Sequence, residues 1–230
     1  MRVSVAVPAY NEESVLGACL KSLRNQTVPC EIVVCDNNST DGTYDIARKY
    51  ADKVVRERRQ GVAHAFNAAS KAASGELIAF TGADCVVPED WIEKFIPGFR
   101  DPRVIACFGP VHSTGRSYRR ALKYYSIFDR VIVRLKITWG ISDANMVIRK
   151  KVLEKVGYFD PNVQMMEDSH LMRRIRRYGT FRFFRDNAVR TSPRKFEKEG
   201  ARRIFLDYFA ALVLLKLTGK LPARRLSNVR

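Results

Sequence analysis

The segment Glu76–Val87 reads ELIAFTGADCVV, an apolar run that ends in one carboxylate, Asp84, with the small residues Gly82 and Ala83 just before it. A carboxylate at a strand end offers hard oxygens to a divalent cation, and it is equally an ordinary turn former. Two further polar clusters follow apolar runs. VSVAVP leads into AYNEES, with Tyr10, Asn11 and Glu12, and EIVV leads into CDNNSTDGT, with Asp36 and Asn37. Asn11 is placed to cap a helix beginning near Glu12. An Asx-rich turn explains one such cluster, but two at adjacent strand ends are costly without a ligand to use them. Neither contains GxGxxG or GxxxxGK, which argues against a dinucleotide or P-loop cradle. Later, Glu167–Asp168 opens a helical stretch. Acids there pair with the helix dipole, and a carboxylate at that place can also act as a base.

These residues are set out by a regular alternation of elements. The apolar, β-branched runs VSVAVPAY, CEIVVCDNN, DKVVRE, ELIAFTGAD and VIACFGPV alternate with helical stretches such as EESVLGACLKSLRNQ, DGTYDIARKYA, AHAFNAASKAA and PEDWIEKFIPGF. Continuous apolar strands separated by amphipathic helices predict a mostly parallel sheet covered on both faces. Ligands of such sheets bind beyond the carboxyl ends of the strands, where Asn11, Asp36 and Asp84 fall. The second half is less regular. Residues 117–137 predict a helix with Arg116, Arg120, Lys123, Arg130 and Arg134 near helical spacing and Tyr118, Leu122, Tyr125, Phe128 and Ile132 on the other stripe. DANMVIR reads as a strand, KKVLEKVG and EDSHLMRRIRRYG as helices, and FRFFRDNAVRTS as a strand or hairpin. RRIFLDYFAALVLLKLTG predicts an apolar helix of roughly 14 residues, short of the ~20 needed to cross a bilayer.

The 230 residues, 46% hydrophobic and 28% charged, describe a globular chain of one large domain or two small ones. Its net charge of +17 is lopsided. Residues 1–110 carry 13 Lys/Arg against 14 Asp/Glu, and residues 111–230 carry 28 against 10, so the excess lies in the second half. A negatively charged partner is implied: nucleic acid, anionic lipid or a phosphorylated substrate. A merely charge-rich thermophile surface would raise both signs. No nucleic-acid module is legible, so that reading rests on charge alone. Cys19, Cys30, Cys35, Cys85 and Cys107 form no CxxC pair, as expected of reduced thiols and not of a disulfide scaffold or zinc site. Met1–Arg2 leads straight into VSVAVP, which is no signal-peptide core, and a cytoplasmic chain is expected.

Five blocks, VSVAVPAYNEE, IVVCDNNSTDGT, GVAHAFNAASKAASGELIAFTGADC, DANMVIRKKVLEKVGYFD and MEDSHLMRRIRRYG, occur in an order and spacing that resembles the family 2 glycosyltransferases over about residues 3–180. The resemblance implies an inverting enzyme of GT-A fold: a Rossmann-like, mostly parallel α/β sheet with helices on both faces, and a small antiparallel and helical acceptor side. It implies a nucleotide-sugar donor, UDP- or GDP-linked, and a divalent metal, Mg²⁺ or Mn²⁺. By position, Pro8, Tyr10 and Glu12 would line the nucleoside pocket, Asp36 would bind the base with Asn37 beside it, and Gly61 and Asn67 would pass near the diphosphate. Ala83 and Asp84 match the end of the metal-binding acidic motif, with Gly82 where the first acid usually stands. Asp168 matches the catalytic base, and Arg194, in Ser192–Lys195, a basic loop over the diphosphate. His170 is a second candidate metal ligand. Trp139, Asp143 and Asn145 fall on the acceptor side, and Trp91 is either packing or acceptor-lining. His64 and His112 are expected to be structural.

The implied organisation is a glycosyltransferase domain over 1–195, with a nucleotide-binding half at 1–110 and an acceptor half at 111–195, followed by a basic, apolar C-terminal helix and tail at 196–230. The basic half suits a lipid-linked saccharide or polyprenyl phosphate acceptor and peripheral contact with an anionic membrane face. Whether the C-terminal helix packs on the domain, on a second copy as a homodimer, or on the membrane stays open. The competing readings are a non-catalytic sugar-nucleotide-binding protein and a basic nucleic-acid-binding protein.

Overall fold

A computed structural model describes residues 1–113, 143–163 and 165–194, with the isolated positions 200, 203, 206, 210 and 211. The helices expected over 117–137 and in the C-terminal stretch, and Trp139, lie outside the described residues apart from those isolated positions.

Among the described residues the chain runs β1 (Val3–Ala9), α1 (Glu13–Arg24), β2 (Glu31–Asp36), α2 (Thr43–Tyr50), β3 (Lys53–Arg56), α3 (Val62–Ala72), β4 (Leu77–Phe80), β5 (Cys85–Val86), α4 (Trp91–Phe95) and β6 (Val104–Phe108). It continues through β7 (Val111–Ser113), β8 (Met146–Arg149), α5 (Lys150–Val156), α6 (Glu167–Ile175), β9 (Thr180–Phe183) and β10 (Val189–Thr191). Short 3-10 turns at Ile96–Arg100 and Arg176–Tyr178 extend α4 and α6.

Seven strands form the main sheet in the order β3-β2-β1-β4-β8-β6-β9. The first four are parallel neighbours, as the alternation predicts, and β9 is parallel to β6. Strand β8 runs antiparallel to both β4 and β6. Its register pairs Met146 with Phe80, so β8 starts where β4 ends and carries Asp143–Asn145 to the ligand-side edge. The two halves therefore share one sheet.

Alternation along the strands feeds two cores. Val3, Val5 and Val7 of β1 pack with Leu16, Leu20 and Leu23 of α1 and with Trp91. Ala6 faces the other way, with Phe66, Phe80, Phe159 and Leu171. The rings of Phe66, Phe80 and Phe159 meet with centroids 5.2–5.4 Å apart. Burying each such side chain stabilises the fold by about 1.5–3 kcal/mol. All five cysteines are free thiols.

Two expected elements divide. VIACFGPV becomes β6 and β7 in different sheets, broken at Gly109–Pro110, where proline lacks an amide for the ladder. A Cβ at Gly109 would sit 2.3 Å from the Asn187 carbonyl, so no larger residue fits there. FRFFRDNAVRTS is no hairpin: β9 closes the large sheet, while β10 joins a second sheet of order β5-β10-β7. That small sheet carries Thr191 to Asp84.

Candidate functional site

The ends of β1 and β2 are knitted together. The Asn37 amide donates to the Ala9 carbonyl (2.8 Å). Asn11 has φ +51° and does not cap α1; its Oδ1 accepts from the Thr40 amide (2.8 Å). The β2 loop caps the helix instead. Ser39 Oγ accepts from the Asn11 amide (3.0 Å), Thr43 Oγ1 from Glu12 (2.8 Å) and Asp41 Oδ2 from Glu13 (3.2 Å). The Glu13 carboxylate returns the bond, accepting from the Gly42 amide (3.0 Å). The Glu13 amide opens α1 and has no partner within the helix, so Asp41 meets one of its unsatisfied donors, while Ser39 and Thr43 fix the two residues before it. Pro8 lies opposite Cys35 in the parallel ladder, and both it and Tyr10 are half-buried.

Asp36 is buried at the end of β2, and its Oδ1 accepts from the Ser39 amide (3.2 Å). Its neighbour Asn37 is spent on the scaffold. The Asn37 Nδ2 donates to the carbonyls of Glu57 and Arg59 (both 2.8 Å), and its Oδ1 accepts from the Gly61 amide (2.8 Å). Gly61, at φ +140°, takes a backbone conformation that favours glycine and starts α3. Asn67 likewise clasps the backbone of Phe159, giving one hydrogen bond and taking one (2.9 Å each). Both asparagine side chains are thus engaged with the backbone of neighbouring loops.

Asp84 follows the turn Gly82–Ala83, whose Gly82 carbonyl accepts from the Cys85 amide (3.1 Å); Ala83 is buried. Thr191 Oγ1 donates to Asp84 Oδ2 (3.2 Å), and the Ser192 amide to the Asp84 carbonyl (3.1 Å). Two residues on, Arg194 pairs with the Glu12 carboxylate and donates to Ser14 Oγ (3.1 Å). Burial raises the Glu12 carboxyl; Arg194 opposes this, and the charges of Asp84 and Asp41 add to it. Glu12, Asp84 and Arg194 therefore share one electrostatic neighbourhood at the ends of β1 and β4. Sequence reasoning missed Thr191, which only the pairing of β10 with β5 brings to Asp84.

A hard cation fits this donor set in one way. Among the described residues no three His, Cys, Asp or Glu side chains gather to hold a metal, so Asp84 and His170 do not complete a protein-only cage. Asp84 keeps acceptor capacity beyond its bond to Thr191, and a single carboxylate suits Mg²⁺ or Mn²⁺ shared with phosphate oxygens.

Asp168 stands in the first turn of α6, two residues after Met166, whose φ of 60° and ψ of 36° are left-handed and uncommon outside glycine. Burial first, then the negative charges of Asp143 and Glu167, push the Asp168 carboxyl up to about 8. The Ser169 amide donates to its Oδ1 at 2.5 Å. The His170 Nδ1 is buried with no hydrogen-bond partner among the described residues. Burial and the nearby Arg174 lower its pKa, which leaves the ring neutral at pH 7. Asn145 is a packing hub. It accepts from Trp91 Nε1 (2.8 Å) and donates to the carbonyls of Pro110 (2.8 Å) and Asn187 (2.7 Å). Trp91 is correspondingly a core residue.

A carboxylate beyond β4, a buried acid at the end of β2 and a third opening α6 therefore accompany a mostly parallel sheet. The family model described as glycosyl transferase family 2 matches residues 4–157. The chain belongs to glycosyl transferase family 2. It is 28% identical over 202 residues to glycosyltransferase AglE of Haloferax volcanii, covering 83% of this chain and 66% of that protein. It is 40% identical over 179 residues to the poly(ribitol-phosphate) beta-glucosyltransferase of Bacillus spizizenii, covering 73% of this chain and 28% of that protein. Among solved structures, the mannosyltransferase PcManGT of Pyrobaculum calidifontis, in complex with GDP-Man and Mn²⁺, superposes with a TM-score of 0.71 at 26% identity. That match covers 96% of this chain and 66% of PcManGT. The chain spans 66% or less of the length of each of these proteins.

Proposed function

We propose that this chain transfers a sugar from a UDP- or GDP-sugar to a nucleophilic acceptor with inversion at the anomeric carbon, using Asp168 as base. The observation that carries the reading is the Asp168 carboxyl, half-buried at the start of α6 and raised by burial and by two neighbouring acids. General bases work best with a pKa near the operating pH, and an ordinary exposed aspartate is far below it. Asp168 takes the proton of the acceptor hydroxyl as its oxygen attacks the anomeric carbon. The bond to the nucleoside diphosphate breaks on the opposite face, which inverts the configuration. Arg194, tethered to Glu12 and Ser14, is within the same neighbourhood as Asp84 to meet the departing charge. A divalent cation held by Asp84, with His170 as a further candidate ligand, would neutralise the diphosphate as it leaves. Asp36 holds the nucleobase.

The acceptor we assign is a lipid-linked saccharide or polyprenyl phosphate at the cytoplasmic face of a membrane. The +18 excess of residues 111–230 supports it, as does a relative named for acting on poly(ribitol-phosphate). If the nucleophile is itself a phosphate, it is already ionised and Asp168 contributes less. Among the described residues no helix is long and apolar enough to cross a membrane. The glycosyltransferase domain extends over 1–195 in this reading, with 196–230 as the basic tail.

Thermal-shift titration with UDP, GDP and their sugars, with and without Mn²⁺, tests the assignment. Stabilisation by one nucleotide, enhanced by Mn²⁺, is expected; no stabilisation by any of them removes the enzyme reading.

A further inference from the structure

Three arginines crowd the end of β3, and they are not equivalent. Arg59 folds back onto Glu57, its amide, Nε and Nη2 all donating to that carboxylate at 2.9–3.1 Å. Arg58 is exposed. Arg56 lies directly opposite Asp36 in the parallel ladder between β3 and β2, at the sheet edge where ligands bind. Its guanidinium carbon lies 3.7 Å from the centroid of the Tyr44 ring, a cation–π contact that holds the fork over that ring. Its Nε is 3.8 Å from Asp36 Oδ2, too far for a hydrogen bond, so both the fork and that oxygen keep capacity for a third party. The Arg56 side chain is 64% exposed and that of Asp36 only 4%, so the pair presents a fixed acceptor from below and an accessible donor beside it.

We propose that Arg56 reads the nucleobase of the donor together with Asp36. The assignment rests on the reading above, in which Asp36 meets the base of a UDP- or GDP-sugar. Uracil and guanine each present a ring N–H next to a carbonyl oxygen. Asp36 accepts from the N–H, and the stacked Arg56 donates to the carbonyl. An acid alone would take any base N–H; the adjacent guanidinium adds a second contact, to an acceptor beside that N–H, so the base is held at two points instead of one. Tyr44, the second residue of α2, is the positioning residue for the fork.

The test is calorimetric titration of the intact chain with UDP, GDP, CDP, ADP and inorganic pyrophosphate, for wild type, Arg56→Ala, Arg56→Lys and Tyr44→Leu. Wild type is expected to prefer UDP or GDP. Arg56→Ala should weaken that nucleotide by roughly tenfold, the scale of one lost charge-assisted hydrogen bond, and leave pyrophosphate unchanged. Arg56→Lys keeps the charge but not the planar fork and should recover only part; Tyr44→Leu should lose a fewfold. Unchanged nucleotide affinity in Arg56→Ala overturns the inference and leaves the role of Asp36 standing. An equal loss for pyrophosphate overturns it too, because the arginine would then act as a bulk charge. If wild type binds none of the nucleotides, or prefers CDP or ADP, the inference and the donor reading fall together.

Discussion

The loops proposed to face the donor and the helix start proposed to carry the base are built in opposite ways. Between Ala9 and Thr43, Asn11, Glu13, Asn37, Ser39, Asp41 and Thr43 hydrogen-bond across to the backbone of the opposite loop or of the next one along. That surface is fixed before any ligand arrives. Around α6, by contrast, Met166 holds a left-handed backbone, Asp168 is crowded by Asp143 and Glu167, and His170 keeps a buried nitrogen without a partner among the described residues. Satisfied polar networks make a rigid binding surface, whereas uncompensated groups store reactivity where chemistry is done. The comparison predicts that substitutions at the two places will fail differently.

The largest effect is expected at the base. Asp168→Asn should lower turnover on a hydroxyl acceptor by about 10²–10⁴-fold while donor affinity changes little. It should also stabilise the protein. The folded pKa of Asp168 lies above its unfolded value, so the folded state binds the proton more tightly, and stability is lost as pH rises from about 4 through about 8. Asparagine stays neutral across that range. Melting curves should therefore show the variant gaining on wild type between those limits and matching it below them. A variant less stable than wild type at pH 9 would mean that Asp168 is a structural acid. Asp143→Asn sharpens the same point. Removing that like charge should lower the Asp168 pKa, so the acid limb of kcat/KM moves to lower pH, with kcat at its plateau retained.

On the donor side the losses should fall on binding or on folding. Asp84→Ala is expected to lower kcat/KM by roughly 10²-fold and abolish any response to Mn²⁺, because the cation would lose its protein carboxylate. Asn37→Ala removes three hydrogen bonds at a buried position and should cost about 2–3 kcal/mol of stability, read by urea melts. Its effect on the donor should appear in KM through the loosened 57–61 loop. A full loss of turnover with unchanged stability would instead make Asn37 a direct ligand contact.

Much of this plan was legible in the chain, for definite reasons. Apolar runs ending in Asp36 and Asp84 place those acids because strand ends in a parallel sheet all face one edge, and the opening EDSH of α6 places Asp168. Long-range pairing was not legible. Nothing local in FRFFRDNAVRTS says that its two strands belong to different sheets, so the Thr191–Asp84 contact could not be anticipated. Side-chain destinations were also hidden. Asn11 matches a helix cap, yet its φ of +51° turns its oxygen to Thr40, and the first amide of α1 is met by Asp41 instead. Asn37 and Asn67 stand at ligand-facing positions in the sequence pattern, but amides that can give and take hydrogen bonds were used to close loops. Arg56 carried no signal as a member of RERR; its register opposite Asp36 and its stack on Tyr44 are properties of the fold.

The smallest expected change is also the one that bears most directly on the gap at Gly82. A Cβ built there lies 2.9 Å from Asp84 Oδ1 and 3.2 Å from Cys85 Sγ. The first neighbour is the free end of a side chain and can rotate away; the second requires a few tenths of an ångström. Gly82→Asp should therefore fold. It would set a second carboxylate beside Asp84, on the side away from Thr191, where like-charge repulsion raises both acids until a cation relieves it. The expected result is a fewfold lower Mn²⁺ concentration for half-maximal activity, with turnover at saturating Mn²⁺ close to wild type. Asp84→Ala in the same background should erase the gain. If the Mn²⁺ requirement does not move in Gly82→Asp, the cation is not held at the end of β4, and the contrast between a fixed donor surface and a reactive base would have to be drawn without it.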